Sequence, residues 1–220
     1  MCDISNILWV AKNITKQEIA GKRIIEVGAY DVNGSVRPIV ELLEPREYIG
    51  IDIAPGPGVD IVCRAEQLVE KFGRDSFDVV ISCTTLEHIK DWRATISNMK
   101  NICAPNGFLI IIVPSVWPFH AFPHDYWRYS GEDIRHIFAD CNILTLTEEQ
   151  GKTSLVYAKI KKPEDFEERD LSRYPLYSVI VKKKVLDIDD SACEKFIRSY
   201  RIKNVIPRII RKICSLLPEE

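Results

Sequence analysis

The chain is predicted to fold as a single α/β domain, a mostly parallel sheet covered by helices on both faces. Three observations lead there. Apolar runs of strand length alternate with amphipathic segments of helix length. The run Phe108 to Val113 is apolar without interruption, as a strand buried on both faces must be. Finally, 220 residues with 46% hydrophobic and 28% charged side chains suit one domain with a substantial core, and exclude both a second full domain and global disorder.

The elements follow in order. Arg23 to Val27 reads as the first strand, stopped by Gly28, with a helix from about Ser35 through Leu43 that ends before Pro45. Glu47 to Ile51 is the second strand, closed by Asp52, and the stiff turn Ala54 to Gly58 leads to a short third strand, Val59 to Val62. A helix over Gln67 to Phe72 precedes the fourth strand, Phe77 to Ser82, and a long helix runs from about Asp91 to Ile102. Asn106 and Gly107 turn the chain into the fifth strand, Phe108 to Val113. Gly131 to Ala139 reads as a helix, and Asn142 to Thr147 and Tyr177 to Lys182 read as strands, with the charged stretch 151–176 left between them as a candidate insertion.

Thirty basic against thirty-two acidic residues give a net charge of -2, so no broad field favours nucleic acid. The longest apolar run falls far short of the ~20 residues a membrane helix needs. Met1 to Val10 shows no basic leader followed by a long apolar run, so a cytoplasmic location is expected. Seven cysteines, odd in number, far apart and without a Cys-x-x-Cys pair, read as reduced thiols and argue against both a disulfide framework and a zinc site. Near the C-terminus, Ile206, Ile209, Ile210, Ile213 and Leu217 share one helical face while Arg208, Arg211 and Lys212 share another. This basic amphipathic appendage, 187–220, packs on the domain or on a twin subunit, or touches a membrane surface peripherally; monomer and homodimer both remain open.

The segment Glu26 to Gly34 carries the strongest functional signal. A glycine at a strand-to-helix turn lets the backbone come close to a ligand, and open α/β sheets bind ligands at the carboxyl ends of their strands. Asp52, at the end of the second strand, stands where an acidic side chain accepts both hydroxyls of a ribose. A pyrophosphate would want Gly-x-Gly-x-x-Gly, but Tyr30 holds the second glycine position and Asp31 would repel an anion. A phosphate-free, cationic nucleoside fits better, with Glu26 and Asp31 supplying negative charge.

These segments resemble the class I S-adenosylmethionine-dependent methyltransferases, in the branch with a generic type 11 methyltransferase domain. The resemblance covers roughly residues 20–150 and rests on Glu26-Val27-Gly28, on Tyr48 to Asp52, on Phe77 to Ser82 with Leu86-Glu87-His88-Ile89, and on Pro105 to Leu109. Gly28, Tyr30 and Val32 replace the family's Gly-x-Gly-x-Gly, with Asn33 and Gly34 standing at the turn. The resemblance implies a Rossmann-like seven-stranded, mostly parallel sheet with an antiparallel last strand, in a domain spanning 1–186. It also implies a bound S-adenosylmethionine held by Glu26, Gly28, Ala29, Tyr30, Asp31, Asn33, Asp52, Ile53, Thr84 and Leu86, with the adenine edge at Ala65 or Glu66.

In some relatives Glu-x-x-Glu-His binds a divalent metal at the turn after the fourth strand. Here Thr84 replaces the first Glu and leaves Glu87 and His88, so no metal is expected, and His88 is either structural or a contact to the acceptor. The stretch Pro114 to Tyr129, dense in aromatics, emerges where an acceptor must sit. It reads either as a wall of the acceptor pocket or as an irregular loop held by its aromatics, with Asp125 and Arg128 paired locally. Histidine suits proton removal near neutral pH, so His124 or His120, oriented by Asp125, is the candidate base, and His88 is a separate candidate for acceptor contact or proton transfer. The expected function is methyl transfer to an oxygen or nitrogen of a small-molecule or sugar acceptor. A catalytically silent or regulatory methyltransferase-like protein and a nucleotide-dependent oxidoreductase are the alternatives.

Overall fold

Seven strands pair in the order β3-β2-β1-β4-β5-β8-β7, as a computed structural model describing residues 3–120 and 124–205 shows. They are β1 (Arg23–Val27), β2 (Glu47–Asp52), β3 (Ile61–Val62), β4 (Phe77–Cys83), β5 (Cys103–Val116), β7 (Asn142–Glu148) and β8 (Ser154–Lys161). β1 to β5 run parallel, and β8 is antiparallel to both of its neighbours. Helices cover both faces: α1 (Ile4–Asn13), α2 (Lys16–Ile19) and α3 (Arg37–Glu41) on one, α4 (Leu68–Phe72) and α5 (Trp92–Ile102) on the other.

The side-chain period of two sorts each central strand between two cores. Ile25, Val27, Val80, Leu109, Ile111 and Val113 join the core under α4 and α5. Ile24, Val79, Ile81, Ile110 and Ile112 join the core under α1 to α3. A strand with both faces buried has no room for polar alternation, and this accounts for the unbroken apolar run of β5. The first two helices start at side-chain caps: Asp3 accepts the Ser5 and Asn6 amides at 2.9 and 3.1 Å, and Thr15 and Glu18 form a capping box.

The stretch 151–176 is not an insertion over its first part. Residues 154–161 form β8, which fills the sheet between β5 and β7. Its lysines disguise it, but Lys159 Nζ reaches the Asn13 carbonyl at 2.7 Å and Glu18 Oε1 at 2.6 Å, so the charge is paired at the helix side of the strand. The expected strand 177–182 is shorter and lies elsewhere. Leu176–Ser178 is β9, the middle of a small antiparallel sheet with β6 (Trp127–Arg128) and β10 (Lys183–Val185). Helices α6 (Gly131–Ile137) and α7 (Asp190–Tyr200) complete the described chain. Ile206 to Leu217, the amphipathic face read from the sequence, lies outside the described residues.

One buried charge fastens α5 to the segment after α6. Lys100 Nζ, fully buried, meets both Asp140 oxygens at 2.7 Å and the Ile137 carbonyl at 2.6 Å. Removing one partner of such a pair strands the other charge in a low dielectric. Lys100→Met should therefore lower unfolding stability by about 3–5 kcal/mol in urea titration, and a loss below about 1 kcal/mol would show the pair to be screened by solvent.

Candidate active site at the carboxyl edge of the sheet

Parallel pairing brings the ends of β1, β2 and β4 side by side, with Val27 opposite Ile51 and Glu26 opposite Ile81. The chain leaves β1 at Gly28, whose φ of 84° lies in the left-handed region. Its amide and that of Ala29 both donate to the Ile51 carbonyl at 2.9 Å. A Cβ on Gly28 would fall 2.0 Å from Thr85 Oγ1, so the close approach made here is to the turn after β4. The loop then folds on itself: the Asp31 amide donates to Pro57 O at 2.9 Å and the Asp31 carboxylate accepts the Gly34 amide at 2.9 Å. Tyr30 lays its ring against Gly56, and Asn33 is exposed.

Asp52 sits at the mouth of this bend. Among the described residues its carboxylate accepts long bonds, from the Tyr30 amide at 3.3 Å and the Ala54 amide at 3.4 Å, which leaves it acceptor capacity. Next to it, Ile53 is 57% exposed. Ile53, Ala65, Glu66, His88, Ile89 and Tyr126 help line a cleft of about 770 Å³. That volume lies within the range of small-molecule sites. Thr84 and Leu86 are buried at the turn after β4, Thr84 with φ 49°. Asp52 precedes Ile53 in the chain, so an acidic side chain adjoins an apolar stretch of the cleft wall at Ile53 and Ala65.

Glu26 is placed differently from the expectation that it faces a bound ammonium. It is 3% exposed, beneath the loop, where Tyr48 Oη donates to Oε2 at 2.6 Å. Burial raises its pKa to about 7, against the lowering pull of the Tyr48 hydrogen bond and the Arg37 charge. Tyr48 and Arg37 escaped the sequence reading, although Tyr48 stands two residues before Gly50, the register partner of Glu26, and so shares its face.

The second half of the site is built from the turn Leu86–His88 and the segment after β5. The Tyr126 amide donates to Glu87 O at 2.8 Å, Tyr129 Oη to Leu86 O at 3.2 Å and Trp127 Nε1 to Lys90 O at 3.0 Å, which pins one to the other. Asp125 is the hinge of the segment. It takes both guanidinium arms of Arg128, at 2.5 and 2.7 Å, and faces the His120 amide at 2.9 Å and Nδ1 at 3.1 Å. Burial would raise the Asp125 pKa, but the hydrogen bonds of Arg128 and His120 outweigh it and hold the carboxyl at about 2. His120 is pushed down by burial and pushed up more strongly by the Asp125 hydrogen bond and charge, for a net rise.

His120, Asp125 and His88 thus come together, with Glu87, which is 1% exposed, between the two imidazoles. His124 does not join them by its ring, which is exposed and lies against Tyr126; its carbonyl instead accepts the His88 Nδ1 proton. The local Asp125–Arg128 pair, one of the two readings of this segment, is formed and also orients His120.

A family model described as a methyltransferase domain matches residues 8–148. No curated protein matches. Among solved structures, the Burkholderia thailandensis 1,6-didemethyltoxoflavin-N1-methyltransferase, with 1,6-didemethyltoxoflavin and S-adenosylhomocysteine bound, is 12% identical. It superposes with a TM-score of 0.55 over 71% of this chain and 81% of that one. N-methyltransferase NodS from Bradyrhizobium japonicum, in complex with S-adenosylhomocysteine, is 17% identical, with a TM-score of 0.51 over 73% and 85%. An S-adenosylmethionine-dependent methyltransferase from Mesorhizobium loti is 13% identical, with a TM-score of 0.51 over 71% and 98%. At such identities the likeness is one of fold.

The buried Glu26 carboxyl makes a sign-definite prediction. Its folded pKa of about 7 stands above the ordinary 4.5, so the folded state holds the extra proton between those values. Its contribution is whole below pH 4.5 and is lost as the pH rises to about 7, worth about 3 kcal/mol in all. Glu26→Gln should remove this component from a urea-titration series across that range. An unchanged pH slope would mean that Glu26 is ionised in the fold.

Proposed function

The chain belongs to the class I S-adenosylmethionine-dependent methyltransferases, and we propose that its acceptor is a small molecule or sugar methylated on oxygen or nitrogen at the Glu87–His88–His120 edge of the cleft. Bound S-adenosylmethionine supplies a methyl group on a sulfonium, which a lone pair of the acceptor takes as the carbon–sulfur bond breaks toward sulfur. The chain's own residues align the partners and manage charge. Asp52 receives the ribose hydroxyls, with Ile53 and Ala65 on either side of the base. Gly28, Ala29 and Tyr30 hold the bend that keeps Asp52 in place, and Asp31, Asn33, Thr84 and Leu86 in the adjoining turns are the remaining residues offered to the donor. Glu66 stands next to Ala65 on the adenine side.

The observation that carries the acceptor reading is the orientation of His120. Asp125 takes its Nδ1 side, which leaves Nε2 directed toward Glu87 and His88. An acceptor O–H or N–H brought to that edge meets groups that can take its proton. A carboxylate–imidazole arrangement of this kind serves oxygen and nitrogen acceptors, which must shed a proton, better than sulfur or carbon acceptors. The modest cleft and the net charge of -2 favour a small acceptor over nucleic acid. Among the described residues no helix is long and apolar enough to cross a membrane.

Titration calorimetry should detect S-adenosylhomocysteine and no NAD. Asp52→Ala should weaken S-adenosylhomocysteine about tenfold to a hundredfold, the loss expected for a charged acceptor on hydroxyls. With an acceptor found by screening extract against a labelled methyl donor, His120→Ala should lower kcat about 100-fold or more while leaving the donor's affinity unchanged. Unchanged turnover would remove His120 from the reaction.

A further inference from the structure

Glu87, His88 and His120 converge in a way their hydrogen bonds do not explain. His88 Nδ1 meets the His124 carbonyl, which can only accept, so Nδ1 carries the proton and Nε2 presents a lone pair. His120 Nδ1 faces the Pro118 carbonyl at 3.1 Å and the Asp125 carboxylate at 3.1 Å, two more acceptors, so its Nε2 likewise presents a lone pair. Both point at Glu87 Oε1, His88 Nε2 at 3.7 Å and His120 Nε2 at 3.9 Å. Glu87 Oε2 and His88 Nε2 are buried and have no hydrogen-bond partner among the described residues. Three acceptor atoms facing one another under cover, one of them unsatisfied and beside a second unsatisfied carboxylate oxygen, repel unless something positive lies between them.

We propose that this cluster is a site for a divalent transition-metal ion, held by the Glu87 carboxylate and by Nε2 of His88 and His120. Two imidazoles and one carboxylate form the donor set of a zinc, manganese or iron(II) ion, softer than the all-oxygen sets of magnesium and calcium. The three ligand atoms lie within 4.8 Å of one another. Metal–ligand bonds of about 2.0–2.2 Å need ligand separations of roughly 3–3.5 Å, which each side chain reaches by moving less than about 1 Å. The outer shell is in place: each imidazole has its other nitrogen on a carbonyl or carboxylate, and Asp125 is itself locked by Arg128. This set differs from the Glu-x-x-Glu-His arrangement of some relatives, because Thr84 takes no part and the third ligand comes from the segment after β5.

His88 also lines the cleft, so the cluster adjoins the space proposed for the acceptor. An acceptor hydroxyl bound there is acidified by the cation and loses its proton to solvent, while its oxygen keeps the lone pair that attacks the methyl group. This role for the metal rests on the proposed acceptor site and replaces proton removal by His120, whose Nε2 lone pair is then taken up by the metal; binding of the metal does not rest on that site.

Tag-free protein stripped with a chelator and titrated with Zn²⁺ and Mn²⁺ by calorimetry tests the site. Expected is one saturable Zn²⁺ site per chain, tighter than Mn²⁺, with a visible absorption band when Co²⁺ is used instead. His120→Ala and Glu87→Gln should each weaken Zn²⁺ at least about tenfold, with S-adenosylhomocysteine affinity kept in both as the measure of an intact fold. No saturable binding by the wild type, or equal Zn²⁺ affinity in a His120→Ala protein that still binds S-adenosylhomocysteine, overturns the proposal and leaves a proton on His120 as the filling charge. Failure to bind S-adenosylhomocysteine would strike the donor site alone, since Zn²⁺ binding is read separately.

Discussion

Parallel pairing of β1 with β2 and with β4 is the constraint on which the rest of this molecule depends, because it forces three chain turns onto one edge. The turn at Gly28 follows from it: the amides of residues 28 and 29 share the Ile51 carbonyl, and the missing side chain admits Thr85 from the turn after β4. Asp52 is the next residue along β2, so its carboxylate stands beside that bend without any further device. Any larger residue at 28 would push apart the two loops that frame the cleft, at a cost combining positive φ with overpacking, roughly 2–4 kcal/mol.

Around that edge the protein treats its carboxyls in opposite ways, and burial alone does not decide the outcome. Glu26 and Asp125 are both inside, at 3% and 1% exposure. Glu26 has a hydroxyl donor and a more distant guanidinium, so desolvation wins and the pKa rises to about 7. Asp125 has Arg128 on both oxygens and His120 besides, so pairing wins and the pKa falls to about 2. The first is a supporting group for the loop; the second is a fixed anion that aligns an imidazole. Glu87 is the third case, with an oxygen that no donor among the described residues reaches.

Much of the scaffold was legible in the sequence because parallel strands buried on both faces are written as unbroken apolar runs, as in β4 and β5. β8 was not, since Lys159 and Lys161 break its pattern and their partners, Asn13 and Glu18 for the first, lie far away in the chain. The helices before β1 also went unassigned: α2 has four residues, and a capping box of Thr15 and Glu18 marks it more than periodicity does. At the site, the neighbourhood of Gly28 and Asp52 follows from strand order and could be read. The sinking of Glu26 beneath the loop could not, because it depends on Tyr48 from the neighbouring strand. The meeting of Glu87 and His88 with His120 was likewise out of reach, since it joins the turn after β4 to the segment after β5.

The most direct test of this account is a crystal structure of the protein with S-adenosylhomocysteine. It should show both ribose hydroxyls within hydrogen-bond distance of the Asp52 carboxylate, the adenine between Ile53 and Ala65, and the sulfur facing the edge formed by Glu87, His88 and His120. A nucleoside bound away from Asp52, or crystals that stay empty at millimolar ligand, would contradict it.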